Sequence, residues 1–147
     1  MAQTAKQRPG ENMRLIEAMA YKHPIAAIVS ILHRASGLVM FVLMPFIIWM
    51  FDTSLTSEIT YSQFTAVFSG GAGFVPGWFF KLLTLALIWA YLHHFIAGVR
   101  HLWMDATHAV TKEFGRQSAV FTLVTSVALT AALGIKLFFF CGSWYIP

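Results

Sequence analysis

The chain has 147 residues, of which 58% are hydrophobic and only 11% are charged, against about 25% charged residues in a typical soluble domain. With a mean hydropathy of +0.68, this composition excludes a soluble globular protein and predicts a single membrane domain over residues 1–147. The single cysteine, Cys141, excludes an internal disulfide and a cysteine-ligated iron–sulfur or zinc site. The net charge of +4 does not indicate nucleic-acid binding.

The first predicted membrane helix covers residues 24–51 and begins at Pro24, a residue favoured at helix starts. Its charge-free part, residues 35–51, is about 26 Å long at helical rise, close to the roughly 30 Å thickness of the hydrocarbon layer. Pro45 provides a point at which this helix can kink. Residues 1–23, which precede it, are polar and mixed in charge, and they lack the pattern of a secretory signal.

Two further apolar segments complete the predicted bundle. Residues 52–77 are rich in Thr, Ser, Gly and Pro, which predicts a loop with a short surface helix over residues 61–68. The second helix is predicted at residues 78–104 and the third at residues 118–140, joined by a short polar connection. The predicted fold is therefore an all-α integral membrane protein with three transmembrane helices.

The basic residues beside these segments predict the orientation of the chain. They precede the first helix or lie between the second and third, at Lys6, Arg8, Arg14, Lys22, Lys112 and Arg116. The 52–77 loop and the C-terminal tail contain no lysine or arginine. Because basic residues favour the cytoplasmic side, we expect a cytoplasmic N-terminus and a periplasmic C-terminus in a bacterial inner membrane.

Polar and ionisable side chains collect at one end of the first two helices, which the topology places in the cytoplasmic leaflet. They are Ser30, His33, Arg34, His94, Arg100 and His101. Ionisable groups in a membrane helix need a partner, so this set is a candidate binding site. His94 and His101 lie about 10 Å apart along one helix face, and Gly98 between them lets a flat ligand approach the backbone.

Haem b fits this arrangement of polar side chains at one end of apolar helices, because it has an apolar body, a central iron and carboxylates at one edge. A neutral imidazole is a good iron ligand, and cationic side chains donate charge-assisted hydrogen bonds to the propionates. The candidates for the propionates are His33, Arg34, Arg100 and His101. Because one cysteine cannot supply the ligands of an iron–sulfur or structural zinc site, we expect any metal in this chain to be bound through histidine.

The iron ligand can be either of two adjacent histidines, and helical periodicity favours His94 over His93. His94 shares a face with Gly98 and His101, whereas His93 shares one with Trp89.

The competing interpretation is a cofactor-free membrane anchor or assembly protein, in which the polar residues only contact partner helices and lipid phosphates. Ser36 and Gly37 are expected to allow close helix packing.

Three motifs support a more specific assignment: Arg8-Pro9; the pattern Ser-x-x-His-Arg-x-Ser-Gly over residues 30–37; and the run from His94 through Gly98-Val99-Arg100-His101 to Met104-Asp105. On these residues, the chain resembles the b556-type cytochrome b membrane-anchor subunit of bacterial succinate dehydrogenase, respiratory complex II. The resemblance covers nearly the whole chain. The doubled histidine departs from the family pattern and leaves His93 open as the ligand.

The resemblance implies that His94 is one axial ligand of a haem b shared with a second small membrane subunit. It also implies that Ser30 and Arg34 line a ubiquinone site, while His33, Arg34 and His101 lie around the propionates. The succinate site and flavin would belong to a flavoprotein subunit, and the iron–sulfur clusters would belong to an iron–sulfur subunit. This chain would therefore pass electrons to quinone without a succinate site. A fumarate reductase using menaquinone is the alternative within the family.

Overall fold

A computed structural model describes residues 23–108 and 111–139. These residues form the helices α1 (Ile25–Val42), α2 (Met44–Leu55), α3 (Glu58–Gly70), α4 (Gly77–Thr107) and α5 (Lys112–Phe139). Helices α1, α4 and α5 are long and apolar enough to cross a membrane, which confirms the prediction of an all-helical protein with three spans. Arg8-Pro9, Cys141 and the rest of both termini lie outside the described residues.

The first predicted helix is divided into α1 and α2 at Leu43. The backbone of Leu43 has φ −88° and ψ 7°, outside helical geometry, and Pro45 follows as the second residue of α2. Proline has no N–H to continue the helical ladder, and its ring crowds the preceding turn. The amide of Leu43 still donates to the Val39 carbonyl at 3.0 Å, so the interruption is confined to one position, and α2 continues to Leu55.

Residues 52–77, predicted as a loop with a short helix, contain more helix than expected. Helix α3 has 13 residues and begins with a reciprocal cap at Ser57. The Thr60 amide donates to the Ser57 hydroxyl at 3.2 Å, and the Ser57 amide donates to the Thr60 hydroxyl at 3.0 Å. Thr60 thus takes the role that Glu or Gln usually has in a capping box. Phe68, 5% exposed, is the buried residue of α3, and its ring lies edge-on to that of Phe64 one turn earlier in the same helix.

The turn between α3 and α4 depends on Gly71, whose φ of 92° is in the region that favours glycine. A Cβ at this position would overlap the carbonyl oxygen of Val75. We expect Gly71→Ala to lower the free energy of unfolding by about 1–3 kcal/mol, measured by thermal unfolding in detergent. The control is Gly70→Ala, where a Cβ would meet nothing within 4 Å. Equal unfolding midpoints for the two variants would contradict this account.

Helices α1, α4 and α5 pack against one another, and small side chains let their backbones approach closely. The buried centre contains Val29 of α1, Ala97 of α4 and Ala119 of α5. The buried face of α5 also carries hydroxyl residues, and these donate to their own helix, as in Thr122 to the Ser118 carbonyl at 2.9 Å. A polar stripe can therefore be buried in this bundle without leaving its hydroxyl groups unpaired.

Candidate functional site

His94 lies on α4 where that helix contacts α1, and its imidazole is half-buried. Its Nδ1 is 3.0 Å from the backbone carbonyl oxygen of His33. Because a carbonyl oxygen can only accept, Nδ1 must carry the hydrogen of this bond. Nε2 has no hydrogen-bond partner among the described residues. A neutral His94 therefore has its free lone pair on Nε2, which is the state required of a metal-ligating imidazole.

Three imidazoles from two helices form one cluster at this contact. The His33 ring stacks on His94 with centroids 4.1 Å apart and planes at 20°. The His33 and His101 centroids are 5.3 Å apart, and Arg34 interacts electrostatically with both of these histidines. The structure thus brings His33 and Arg34 of α1 together with His94 and His101 of α4, although His33 and His94 are 61 residues apart in the sequence.

Ser30 and Arg34, the predicted quinone-binding pair, lie one helical turn apart on α1 and share one face. Ser30 is half-buried and Arg34 is exposed. Neither side chain has a hydrogen-bond partner among the described residues. Their donors are therefore available to a ligand beside the histidine cluster.

Of the two glycines at the contact between α1 and α4, Gly37 leaves less room for a side chain than Gly98 does. A Cβ on Gly37 would lie 3.0 Å from Cε1 and 3.3 Å from Nδ1 of His94. A Cβ on Gly98 would lie 3.6 Å from Nε2 of His33, an ordinary van der Waals contact. Packing within this chain therefore requires a glycine opposite His94, whereas the predicted role of Gly98 concerns only a bound ligand.

His93, the alternative iron ligand, points into the bundle and has no exposed surface. Its ring stacks on Trp89, with centroids 5.4 Å apart and planes at 18°, and its Nδ1 is 3.2 Å from the hydroxyl oxygen of Ser126 on α5. A ligand lying outside the three helices cannot reach this imidazole unless the helices separate. Of the two adjacent histidines, only His94 is open to a group at the surface of the bundle.

Arg100 also departs from the sequence interpretation, which included it among the residues available to the propionates. It is only 8% exposed. Its Nε donates to the Ser118 hydroxyl at 2.9 Å, and its Nη2 donates to the Gly115 carbonyl at 3.1 Å. Arg100 therefore joins α4 to α5 and is not one of the open donors beside His94.

Sequence reasoning missed two hydroxyl residues of α5 that contact this region, Ser118 and Ser126, and it assigned Ser36 only to helix packing. Ser36 lies against His94, while Ser118 and Ser126 are the partners of Arg100 and His93 on α5. Serine and threonine recur every four residues at positions 118, 122, 126 and 130. This spacing places all four on one helix face, and it is the signal from which a polar α5 face could have been predicted.

Comparison with known proteins adds an independent result. The model of the succinate dehydrogenase/fumarate reductase transmembrane subunit family matches residues 6–133. The chain is 29% identical over 119 residues to the succinate dehydrogenase cytochrome b556 subunit of Paracoccus denitrificans, with 81% of this chain and 85% of the relative covered. It is also 29% identical over 120 residues to the protein of the same name from Coxiella burnetii (strain RSA 493 / Nine Mile phase I), with 82% and 91% covered.

Proposed function

Because the chain belongs to the succinate dehydrogenase/fumarate reductase transmembrane subunit family, we propose that it is the haem b membrane anchor of a bacterial succinate:ubiquinone oxidoreductase. Its role would be to help pass electrons from an iron–sulfur subunit to ubiquinone. The observation that carries the proposal is the state of His94, whose Nδ1 donates to the His33 carbonyl and whose Nε2 is unpartnered among the described residues. The two relatives named cytochrome b556 subunits support it.

His94 would hold the haem iron through Nε2, and His33, Arg34 and His101 would bind the propionates. When bound, haem b supplies a one-electron carrier. The imidazole of His94 is half-buried in this chain, so a second small membrane subunit would complete the enclosure and supply the other axial histidine. The fit rests on the donor set, with one imidazole whose Nδ1 faces a carbonyl oxygen and cationic or neutral N–H donors beside it.

Ser30 and Arg34 would bind the quinone head group. Reduction of the quinone takes up two electrons and two protons, and negative charge develops on the carbonyl oxygens as the electrons arrive. The Ser30 hydroxyl would donate a hydrogen bond to one quinone oxygen, while the Arg34 guanidinium would stabilise the charge on it. The absence of hydrogen-bond partners for both side chains among the described residues supports this role.

We also propose a cytoplasmic N-terminus and a periplasmic C-terminus in the bacterial inner membrane. This orientation puts the ends of α1 and α4 that carry the cluster on the same side as Lys112 and Arg116. The iron–sulfur and flavoprotein subunits would dock on that side. Succinate would be oxidised on the flavoprotein subunit, and this chain would carry no succinate site.

Purification of the complex through a tag on this chain tests the proposed function. We expect an iron–sulfur subunit, a flavoprotein subunit and a second membrane subunit to co-purify, with a b-type band in the reduced-minus-oxidised spectrum. A complete complex without haem would favour a cofactor-free anchor. A complex that reduces fumarate with menaquinol but does not reduce ubiquinone would favour the fumarate reductase alternative.

The Ser30→Ala variant tests the quinone-binding role. Loss of one hydrogen bond to the quinone should lower succinate:ubiquinone reductase activity about 10-fold, while succinate oxidation by an artificial dye stays unchanged. Ser62→Ala, which removes an exposed α3 hydroxyl that bonds only within its own helix, is the control. Equal loss of the quinone and dye activities in an assembled Ser30→Ala complex would refute the role.

A further inference from the structure

The contact between His94 and α1 includes two residues that the sequence assigns only to helix packing, Ser36 and Gly37. Ser36 is completely buried, and its hydroxyl oxygen is 3.3 Å from Nδ1 of His94. The same hydroxyl is 2.8 Å from the carbonyl oxygen of His33, the group that also accepts from His94 at 3.0 Å. Three groups thus form a closed triangle of short contacts around one imidazole nitrogen.

The directions of these hydrogen bonds follow from the chemistry of the groups. The His33 carbonyl can only accept, so both the Ser36 hydroxyl and the His94 Nδ1–H donate to it. Since the hydroxyl hydrogen is directed at the carbonyl, a lone pair of Ser36 faces Nδ1. The Nδ1–H is therefore shared between two acceptors. This arrangement holds the imidazole in one plane and keeps its hydrogen on Nδ1.

Gly37 determines how closely the His94 ring can approach α1. A Cβ there would lie 3.0 Å from Cε1 and 3.3 Å from Nδ1 of the His94 ring, which is tighter than most contacts that a real Cβ makes. The ring would have to move away from α1, and the bond from Nδ1 to the His33 carbonyl would lengthen. Absence of a side chain at Gly37 therefore allows the imidazole to reach its acceptors.

We propose that Ser36 and Gly37 are positioning residues for the axial ligand of haem b. Ser36, together with the His33 carbonyl, would fix the orientation and protonation state of the His94 ring, and Gly37 would let the ring sit against α1. The inference rests on the proposed function, in which His94 Nε2 binds the iron. Groups that bind the far nitrogen of a metal-ligating histidine orient the ring and change metal affinity about 10–100-fold.

The test compares Ser36→Ala and Gly37→Ala in the purified, intact complex. We expect shifted g-values in the low-spin ferric spectrum for both variants, because the imidazole plane is no longer held. Haem transfer to apomyoglobin should be about 10-fold faster for Ser36→Ala and faster still for Gly37→Ala. Ser36→Thr, which keeps the hydroxyl, should restore the wild-type spectrum.

Two matched controls separate positioning from a general loss of packing. Thr122→Ala removes a buried hydroxyl that bonds only within α5, and Gly115→Ala adds a Cβ that would meet no atom of another helix within 4 Å. Spectra and haem transfer rates for Ser36→Ala that equal those of Thr122→Ala would overturn the inference. If Gly37→Ala fails to assemble, Ser36→Ala decides the question. A wild-type complex without haem would instead refute the proposed function.

Discussion

Replacing His94 by alanine is expected to reduce the haem b content of the purified complex by at least about 10-fold. The change removes the imidazole whose Nδ1 is bound by the His33 carbonyl and whose Nε2 is free among the described residues, so a bound haem would lose the ligand that this chain supplies. The haem-to-protein ratio, measured by the pyridine haemochrome method, gives the result directly. Retained haem should show a high-spin or five-coordinate spectrum in place of a bis-histidine one.

The matched variant is His93→Phe at the neighbouring position. Phenylalanine keeps an aromatic ring against Trp89 and loses polar contacts inside the bundle, with Ser126 and the Val29 backbone, so the haem content should stay close to the wild-type value. Loss of haem in His93→Phe with retention in His94→Ala would reverse the ligand assignment. Loss in both variants with normal assembly would show that the two histidines act together.

Replacing Arg34 by alanine is expected to lower ubiquinone reduction about 100-fold, the order of effect seen when a group that stabilises developing negative charge is removed. Arg34 is exposed and has no hydrogen-bond partner among the described residues, so the protein loses little packing. Succinate oxidation by an artificial dye should be unchanged. The measurement is the ratio of quinone-dependent to dye-dependent turnover in the same preparation.

Arg34→Lys and Arg116→Ala complete this series. Lysine keeps the charge but not the planar fork of donors, so its activity should lie between those of the wild type and Arg34→Ala. Arg116 is an exposed basic residue near the start of α5, and its loss should leave the ratio unchanged. An unaltered ratio in Arg34→Ala would exclude a role for this guanidinium in quinone reduction.

The sequence was sufficient to predict the elements whose formation depends on local properties. Length and hydropathy alone predict spans near α1, α4 and α5, because a membrane helix needs only enough consecutive apolar residues. Helix periodicity also separated the faces of His93 and His94, which the structure directs to α5 and α1 respectively. These features follow from the chain itself and need no knowledge of how the helices pack.

The features that the sequence did not predict depend on contacts between helices that are distant in the sequence. Arg100 could be assigned to a propionate as readily as to another helix, because its partners Ser118 and Gly115 are 15 or more residues away. Gly37 was expected to allow close helix packing, but the sequence could not show that its neighbour is the His94 ring of α4. Spacing within one helix cannot identify which neighbour fills the space beside it.

The partners of Arg100 also determine the electrostatic potential at this end of the bundle. The hydrogen bonds described for its guanidinium go to a serine hydroxyl and a backbone carbonyl, both uncharged, so its positive charge is retained inside the protein. In a medium of low polarity such a charge acts over several ångströms. An anionic group near His101, which lies within reach of this charge, would therefore be stabilised. In the proposed function, the residue that joins α4 to α5 would thereby also favour the arrival of an electron beside it.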